Sequence, residues 1–426
     1  MRNSFIVAIA IVGALPSFAQ DAKRLSLDDA QAIALRNHPR ISAEQFKARA
    51  AEQVSTETRA QRLPLVSSSL TGVGADPNST IAAGNLPTSS LPSRGALGVT
   101  FSQMLLDFGR SSNLTKSAAL HADAQQQTVA ATRAQVLLEV RQAYFKALLA
   151  QSVLEVARET VAARKLILKQ VSALAESQMR SSLDVSFAEV NVSEAELLLV
   201  RAENDIKAAF ADLSAAMGYD GNRGFVLSEE PLPPALEPDA ETAVRAALKQ
   251  RPDLEAVRLQ HQSALKFAAA ERSLLFPTVS LMAGAGVLPV HDSKLQGTYS
   301  GAGLNVSIPV FNGSLFSARR TEAQMKAEAA NQDVRDLEVR TVRDVKVAWL
   351  NAENAFRRLD VTARLLEQAT RSLRLANSRY TLGLSSIVEL SQAQLNQTSA
   401  AIASTSAKYD YQIQRALLDY ETGALK

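Results

Sequence analysis

The chain has 426 residues, 46% of them apolar and 21% charged, with 46 basic against 43 acidic side chains. A formal charge of +3, dispersed rather than run together, leaves no nucleic-acid footprint. The absence of cysteine excludes disulfides, thiol nucleophiles, thiolate metal sites and a cysteine-linked lipid; with His38, His121, His261 and His291 far apart, no metal or other cofactor is expected.

In chain order, Met1–Gln20 (MRNSFIVAIAIVGALPSFAQ) places one arginine before eleven apolar or small residues, Phe5–Leu15, then Pro16 and the A-x-A-like Ser17-Phe18-Ala19. This reads as a signal peptide over residues 1–19, because the apolar run is about half of the roughly twenty residues that span a bilayer. No later run approaches that length. An exported chain without a transmembrane helix is expected.

The remainder is organised by an internal repeat. AQAIALRNHPRISAEQFKARAAEQVSTETRAQRLPLVS from Ala30 aligns without a gap on AVRAALKQRPDLEAVRLQHQSALKFAAAERSLLFPTVS from Ala243. Leu106-Asp107-Phe108-Gly109 then faces Val310-Phe311-Asn312-Gly313 loosely, Tyr144 faces Trp349, and Gly218 faces Gly423. Two copies of one unit are expected, residues 20–220 and 239–426, joined by a Gly/Pro-rich connector at 221–238.

Breaker residues outline the elements. A helix is expected over 27–63, followed by strands at about 65–74 and 96–106. Neither glycine nor proline occurs from Arg110 to Met217, so a very long helix (about 113–176) and a shorter one (184–217) follow. The second copy repeats this with strands at about 278–288 and 301–311 and a long helix at about 318–379. Val136, Val140, Ala143, Ala147, Ala150, Leu154, Ala157 and Val161 keep the 4,3 spacing of a coiled-coil seam. Ala302, Leu304, Val306, Ile308 and Val310 alternate with Gly301, Gly303, Asn305, Ser307 and Pro309, as do Val279–Val287 and Leu97–Leu105. Apolar on one face and small or polar on the other, these are the patterns of transmembrane β-strands.

At 1.5 Å per residue the long helices reach roughly 95 Å, and two shorter ones end to end match one of them. Four strands cannot close a barrel, and open edges are not tolerated in lipid. Other chains must complete it, and about twelve strands would leave a passage.

The duplicated A…L…P…R…LP segments, the breaker-free helices and RYTLGLSSIVELSQAQLNQ (Arg379–Gln397) resemble TolC-like outer-membrane efflux channels over essentially the whole mature chain. The resemblance implies a mainly α fold with a small transmembrane β part. Long antiparallel coiled-coil helices form a periplasmic α-barrel, and four β-strands per chain contribute to a shared trimeric twelve-strand β-barrel. It implies no catalytic residues. The expected partners are two further copies (a homotrimer), outer-membrane lipid, a periplasmic adaptor (membrane fusion) protein and an inner-membrane transporter feeding efflux or type I secretion.

The resemblance also implies where function concentrates: the turns Glu176–Asp184 and Tyr380–Gln392, at the periplasmic tip. Aligning on Tyr380 and Gly383 puts the family's two inward acidic positions at Glu389 and Gln392, so one carboxylate is kept and the other lost. The basic residue that latches the closed state falls on Ser385, a departure. Asp184 and Tyr380 match the other latch pair. Three carboxylates at a neck would attract cations and repel anions; otherwise Glu389 and Asp184 only complement helix dipoles, worth about 0.3–1 kcal/mol each. For adaptor docking, Leu382-Gly383-Leu384 fits the family's small tip motif, and its counterpart Ser177-Gln178-Met179 lacks the glycine. His38, His121 and His261 read as solvated helix faces, His291 as an outer-loop residue, and Tyr144 and Trp349 as packing. The competing reading is a soluble periplasmic coiled-coil scaffold or adaptor.

Overall fold

The computed structural model describes residues 24–74, 76, 80–81, 89–90, 93–221, 225–236, 239–291 and 296–425. The expected signal peptide, most of the loop 76–94 and parts of the connector lie outside them. Arg24–Leu25 (β1) precedes helices Leu27–Asn37 (α1) and Pro39–Ala60 (α2). Strand Leu65–Val73 (β2), the short pair Thr80–Ile81 (β3) and Ser89–Ser90 (β4), and strand Arg94–Leu106 (β5) follow, then helices Arg110–Glu176 (α3) and Ser182–Ala216 (α4). Val226–Leu227 (β6), Ala240–Gln250 (α5) and Pro252–Arg272 (α6) lead into strands Thr278–Val290 (β7) and Thr298–Ser307 (β8) and helices Leu315–Thr381 (α7) and Ile387–Glu421 (α8).

The two halves match residue for residue in their long elements. α3 and α7 each have 67 residues, and α4 and α8 each have 35. Leu315 follows Arg110, and Ile387 follows Ser182, by the same 205 positions. That offset also corrects the loose pairing of Phe108 with Asn312. The consecutive left-handed residues Phe108-Gly109 and Gly313-Ser314 place Asp107 opposite Asn312, the strand-to-helix turns being equivalent at 205.

The helix expected over 27–63 is two helices. His38 precedes Pro39, whose ring drives the preceding residue out of the α region, and His38 sits at φ −70°, ψ 120°. Arg251 before Pro252 does the same between α5 and α6, at φ −67°, ψ 122°. The strand expected at 301–311 instead runs 298–307, since Pro309 has no N–H to offer a ladder.

By contact density the chain forms two units. One comprises residues up to Arg36, Val140–Pro233 and Thr362–Tyr409; the other comprises Asn37–Glu139, Pro234–Val361 and Asp410–Lys426. In the first unit, the parallel pair β1–β6 (Leu25 opposite Leu227) is tied by the buried Tyr144, whose hydroxyl lies 2.8 Å from the Leu25 carbonyl and 2.7 Å from that of Ser228. Burial, then the Glu230 carboxylate, pushes this phenol up to about 12, so Tyr144 stays a donor rather than mere packing. Alanines spaced along the seam let the helices close in: Ala147, Ala157 and Ala202 are buried.

The second unit carries an antiparallel sheet in the order β2-β5-β7-β8. Its apolar face carries Leu70, Leu97, Val99, Val287 and Leu304; the other carries Ser67, Thr100, Gly284 and Asn305. Tyr299 on this second face lies against Gly286 and Gly98, where a Cβ would run into its ring. Below the sheet, buried Glu271 of α6 meets Arg319 at 2.7 Å and Arg110 at 3.7 Å. Farther along, Arg251 is buried between Asp253, at 2.7 Å, and Glu421.

His38 is a correction: it is buried, not solvated, and its Nδ1 accepts from the Arg40 N–H at 3.3 Å, capping α2. Burial, then the Arg40 charge, holds its pKa below the ordinary value of about 6.5, outweighing Glu139. A depressed folded-state pKa contributes stability that is present above about 6.5 and lost as pH falls through the folded value. Chemical denaturation at pH 7.5 and 5.5 should show that loss in the wild type, and a smaller loss in His38→Asn, which caps without titrating.

Candidate functional site

The α3–α4 and α7–α8 turns share one backbone design. At each helix end the residue two past the last helical position lies in the left-handed region: Gln178 at φ +56° and Gly383 at φ +77°. Gln178 N–H donates to the Ala175 carbonyl and Met179 N–H to that of Leu174; Gly383 N–H and Leu384 N–H repeat this to Tyr380 and Arg379, all between 2.8 and 3.0 Å. These are Schellman motifs, which satisfy the last carbonyls of a helix. Glycine adopts the conformation without strain, whereas Gln178 pays a steric cost for it. Ser181 then caps α4 through the Leu183 N–H, and the Ser386 hydroxyl caps α8 through that of Glu389.

Between the turns, Tyr380 is buried in a cluster with Val171, Ala188, Ile387 and Leu390. Its hydroxyl donates to Asp184 Oδ2 at 3.2 Å, so the structure brings two of the candidate residues together. Burial, then the Asp184 charge, pushes the phenol up to about 12, keeping it a neutral donor. Sequence reasoning missed the third participant. Arg180 stacks over the Tyr380 ring, 4.4 Å from its centroid, and its Nη2 donates to the Tyr380 carbonyl. One arginine therefore holds both the face and the backbone of a tyrosine in the last turn of α7.

The signal for Arg180 was present in the repeat. The 205 offset that carries α3 onto α7 carries Arg180 onto Ser385, the position where a latching base was expected and absent. The base stands on the opposite turn. Ser385 itself is half-buried, and its hydroxyl has no hydrogen-bond partner. The same offset pairs Asp184 with Glu389.

The remaining candidates lie apart from this cluster. Glu389 is exposed and pairs with Arg379 at 3.3 Å. Gln392 is exposed and donates to Asn396 Oδ1 at 2.9 Å. Ser177 and Gln178 are exposed; Met179, Leu382 and Leu384 are exposed apolar residues at 70%, 73% and 66%. A Cβ on Gly383 would meet only Arg180 Nη2, at 3.9 Å, leaving the surface around the glycine open. Among the described residues, no group of three or more His, Asp or Glu side chains is arranged to hold a metal ion, and no helix is long and apolar enough to cross a membrane.

Residues 32–219 and 243–424 match the family described as outer membrane efflux protein. The chain is 25% identical over 412 residues to the outer membrane protein OprJ of Pseudomonas aeruginosa, covering 95% of this chain and 84% of that one. It is also 25% identical over 312 residues to the probable outer membrane lipoprotein SilC of Salmonella typhimurium, covering 70% of this chain and 65% of that one, just under two thirds. Crystal structures of CusC superpose with a TM-score of 0.81 at 20% identity, over 93% of this chain and 92% of the other, and share its fold.

Proposed function

We propose the following from the premise that this chain belongs to the outer membrane efflux protein family. It is the outer-membrane channel of a tripartite efflux or type I secretion system, a passive duct without catalytic chemistry. Three copies surround one pore. The signal peptide at 1–19 exports the chain, the sheet enters outer-membrane lipid, and the helices extend into the periplasm.

The observation that carries this reading is the sheet, whose apolar face and small, polar face alternate along four strands while, among the described residues, its two outer edges stay unpaired. A water-filled lumen suits Ser67, Thr100, Gly301 and Asn305; lipid suits Leu70, Leu97, Val99 and Leu304. At the tip, Asp184, Tyr380 and Arg180 hold the two turns together. Glu389 and Gln392 lie on the first turns of α8, where Glu389 supplies the charge of the constriction. The exposed tip residues Ser177–Met179 and Leu382–Leu384 dock a periplasmic adaptor bound to an inner-membrane pump.

The native mass of the particle, extracted from membranes in mild detergent, tests the reading. Three chains recovered from the outer-membrane fraction are expected, forming cation-preferring channels in planar bilayers whose preference weakens in Glu389→Ala. A single chain in the soluble periplasmic extract would replace the duct with the scaffold.

A further inference from the structure

Arg251 and Arg164 are both buried, at 9% and 5% exposure, yet only the first is neutralised at close range. Arg251 meets Asp253 at 2.7 Å and Glu421 as well. Arg164, on α3 in the first unit, gives Nη1 to the Asn191 carbonyl at 3.0 Å. Among the described residues its one carboxylate is the exposed Glu194, 3.4 Å away, and its Nε has no hydrogen-bond partner. A charge taken out of water needs a close counter-charge and acceptors for its remaining N–H groups. Helix packing does not demand this arginine, since the 205 offset carries Arg164 onto Ala369, which is also buried.

Arg164 forms part of the wall of a cavity of about 270 Å³ between α3, α7 and α8, within the first unit. Buried Gln394 and Thr398 line it from α8, adding an amide and a hydroxyl, both able to donate. Half-buried Ile167 and Leu373 supply an apolar wall, and the exposed Glu159 stands at the rim. An apolar cavity of about 150 Å³ admits benzene, so the volume here accommodates a compact apolar body with a carboxylate beside it.

We propose that this cavity binds a small organic monocarboxylate, with its carboxylate on Arg164 and its apolar body against Ile167 and Leu373. The carboxylate supplies the counter-charge that Arg164 lacks at close range, and Gln394 and Thr398 donate to it. The Glu159 carboxylate at the rim repels a second negative group, which disfavours dicarboxylates and phosphates. Ile167 and Leu373 also pack against the cluster that holds Tyr380, so the ligand rests on the side chains that support the latch. A ligand that fills the cavity of the latched arrangement ties α3 to α7 and α8 and shifts the population toward that arrangement. The site lies inside one chain, so binding stands apart from the channel reading; only its effect on conductance rests on that reading.

Calorimetry on the detergent-extracted particle tests the site with benzoate as the probe, benzamide as its neutral counterpart and phthalate as the dianion. Benzoate should bind saturably, roughly tenfold more tightly than either of the others. Arg164→Ala, which installs the residue of the equivalent position, should weaken benzoate roughly tenfold. Ala401→Phe should do the same by filling the cavity from α8 with Arg164 left in place. In planar bilayers benzoate should lower the open probability of the wild type about threefold and leave Arg164→Ala unresponsive. Absence of saturable binding, equal binding of benzamide or phthalate, or undiminished binding in either variant overturns the site. Binding without any change in conductance of a three-chain channel overturns its tie to the latch. A single-chain particle that binds benzoate overturns the channel reading and supports the site.

Discussion

Replacing Arg180 by alanine should raise the open probability of the channel in planar bilayers by at least tenfold, with the three-chain particle intact. Arg180 holds Tyr380 in two ways, through the ring face at 4.4 Å and through the carbonyl. A cation–π contact is worth about 0.5–2 kcal/mol and a hydrogen bond from a charged donor about 1.5–3 kcal/mol, both reduced here because Arg180 is only partly buried. On the proposed role of these contacts in closing the channel, a combined loss of about 2 kcal/mol corresponds to more than a tenfold population shift. Arg180→Lys should fall between wild type and alanine, since lysine keeps the charge but not the planar stack or the fork of donors. Tyr380→Phe should give a smaller increase, removing only the bond to Asp184. The decisive variant is Arg180→Ala/Ser385→Arg, which returns the base to the equivalent position on the other turn and should restore closure. Unchanged conductance in Arg180→Ala would show that these contacts shape the turn without gating it.

Arg180 also marks where the sequence stopped being legible. The helices were readable because breaker residues are absent over more than a hundred positions, and strand faces because alternation exposes a period of two. Tyr380 and Asp184 follow from the resemblance and meet in space. Arg180 does not, because the family's latching base aligns on Ser385; the repeat offset that links the two positions is fixed only by the element ends. His38 reads as a surface residue in a helix taken as continuous through it, although the following proline forces a cap there. Gln178 signals its conformation only through its counterpart Gly383 in the second copy. A left-handed cap is announced by glycine, and here the backbone adopts it with glutamine. Strand register was equally hidden, since alternation fixes which face a residue occupies but not which residue it meets.

The same left-handed cap, used at several helix ends, predicts stability effects that differ by their surroundings alone. Gly383 and Gly423 have nearly the same φ, +77° and +75°, and both close Schellman motifs, Gly423 through the Tyr420 carbonyl and Ala424 through that of Asp419. An alanine at either position bears the left-handed strain of about 1–2 kcal/mol. At Gly383 little else changes, since its Cβ would meet only Arg180 Nη2, at an ordinary contact distance of 3.9 Å. At Gly423 the Cβ would lie 3.1 Å from the backbone carbon of Gln250 and the nitrogen of Arg251. Those atoms sit at the bend between α5 and α6 that Pro252 fixes, and moving them disturbs the buried Arg251 with its partners Asp253 and Glu421. Burial works against the Arg251 charge, yet these carboxylates hold it above its ordinary range, so displacing it separates charges in a poorly hydrated site. Overpacking adds about 1–3 kcal/mol, for a total on the order of 3 kcal/mol in Gly423→Ala. Gln178→Gly should move the opposite way, relieving strain but freeing the unfolded chain, for a net gain of roughly 0.5–1 kcal/mol. Denaturation of the detergent-solubilised particle should rank Gln178→Gly above wild type, Gly383→Ala below it, and Gly423→Ala well below both. Equal losses in the two alanine variants would mean that backbone strain alone sets the cost and that the α5–α6 bend yields to the added methyl group.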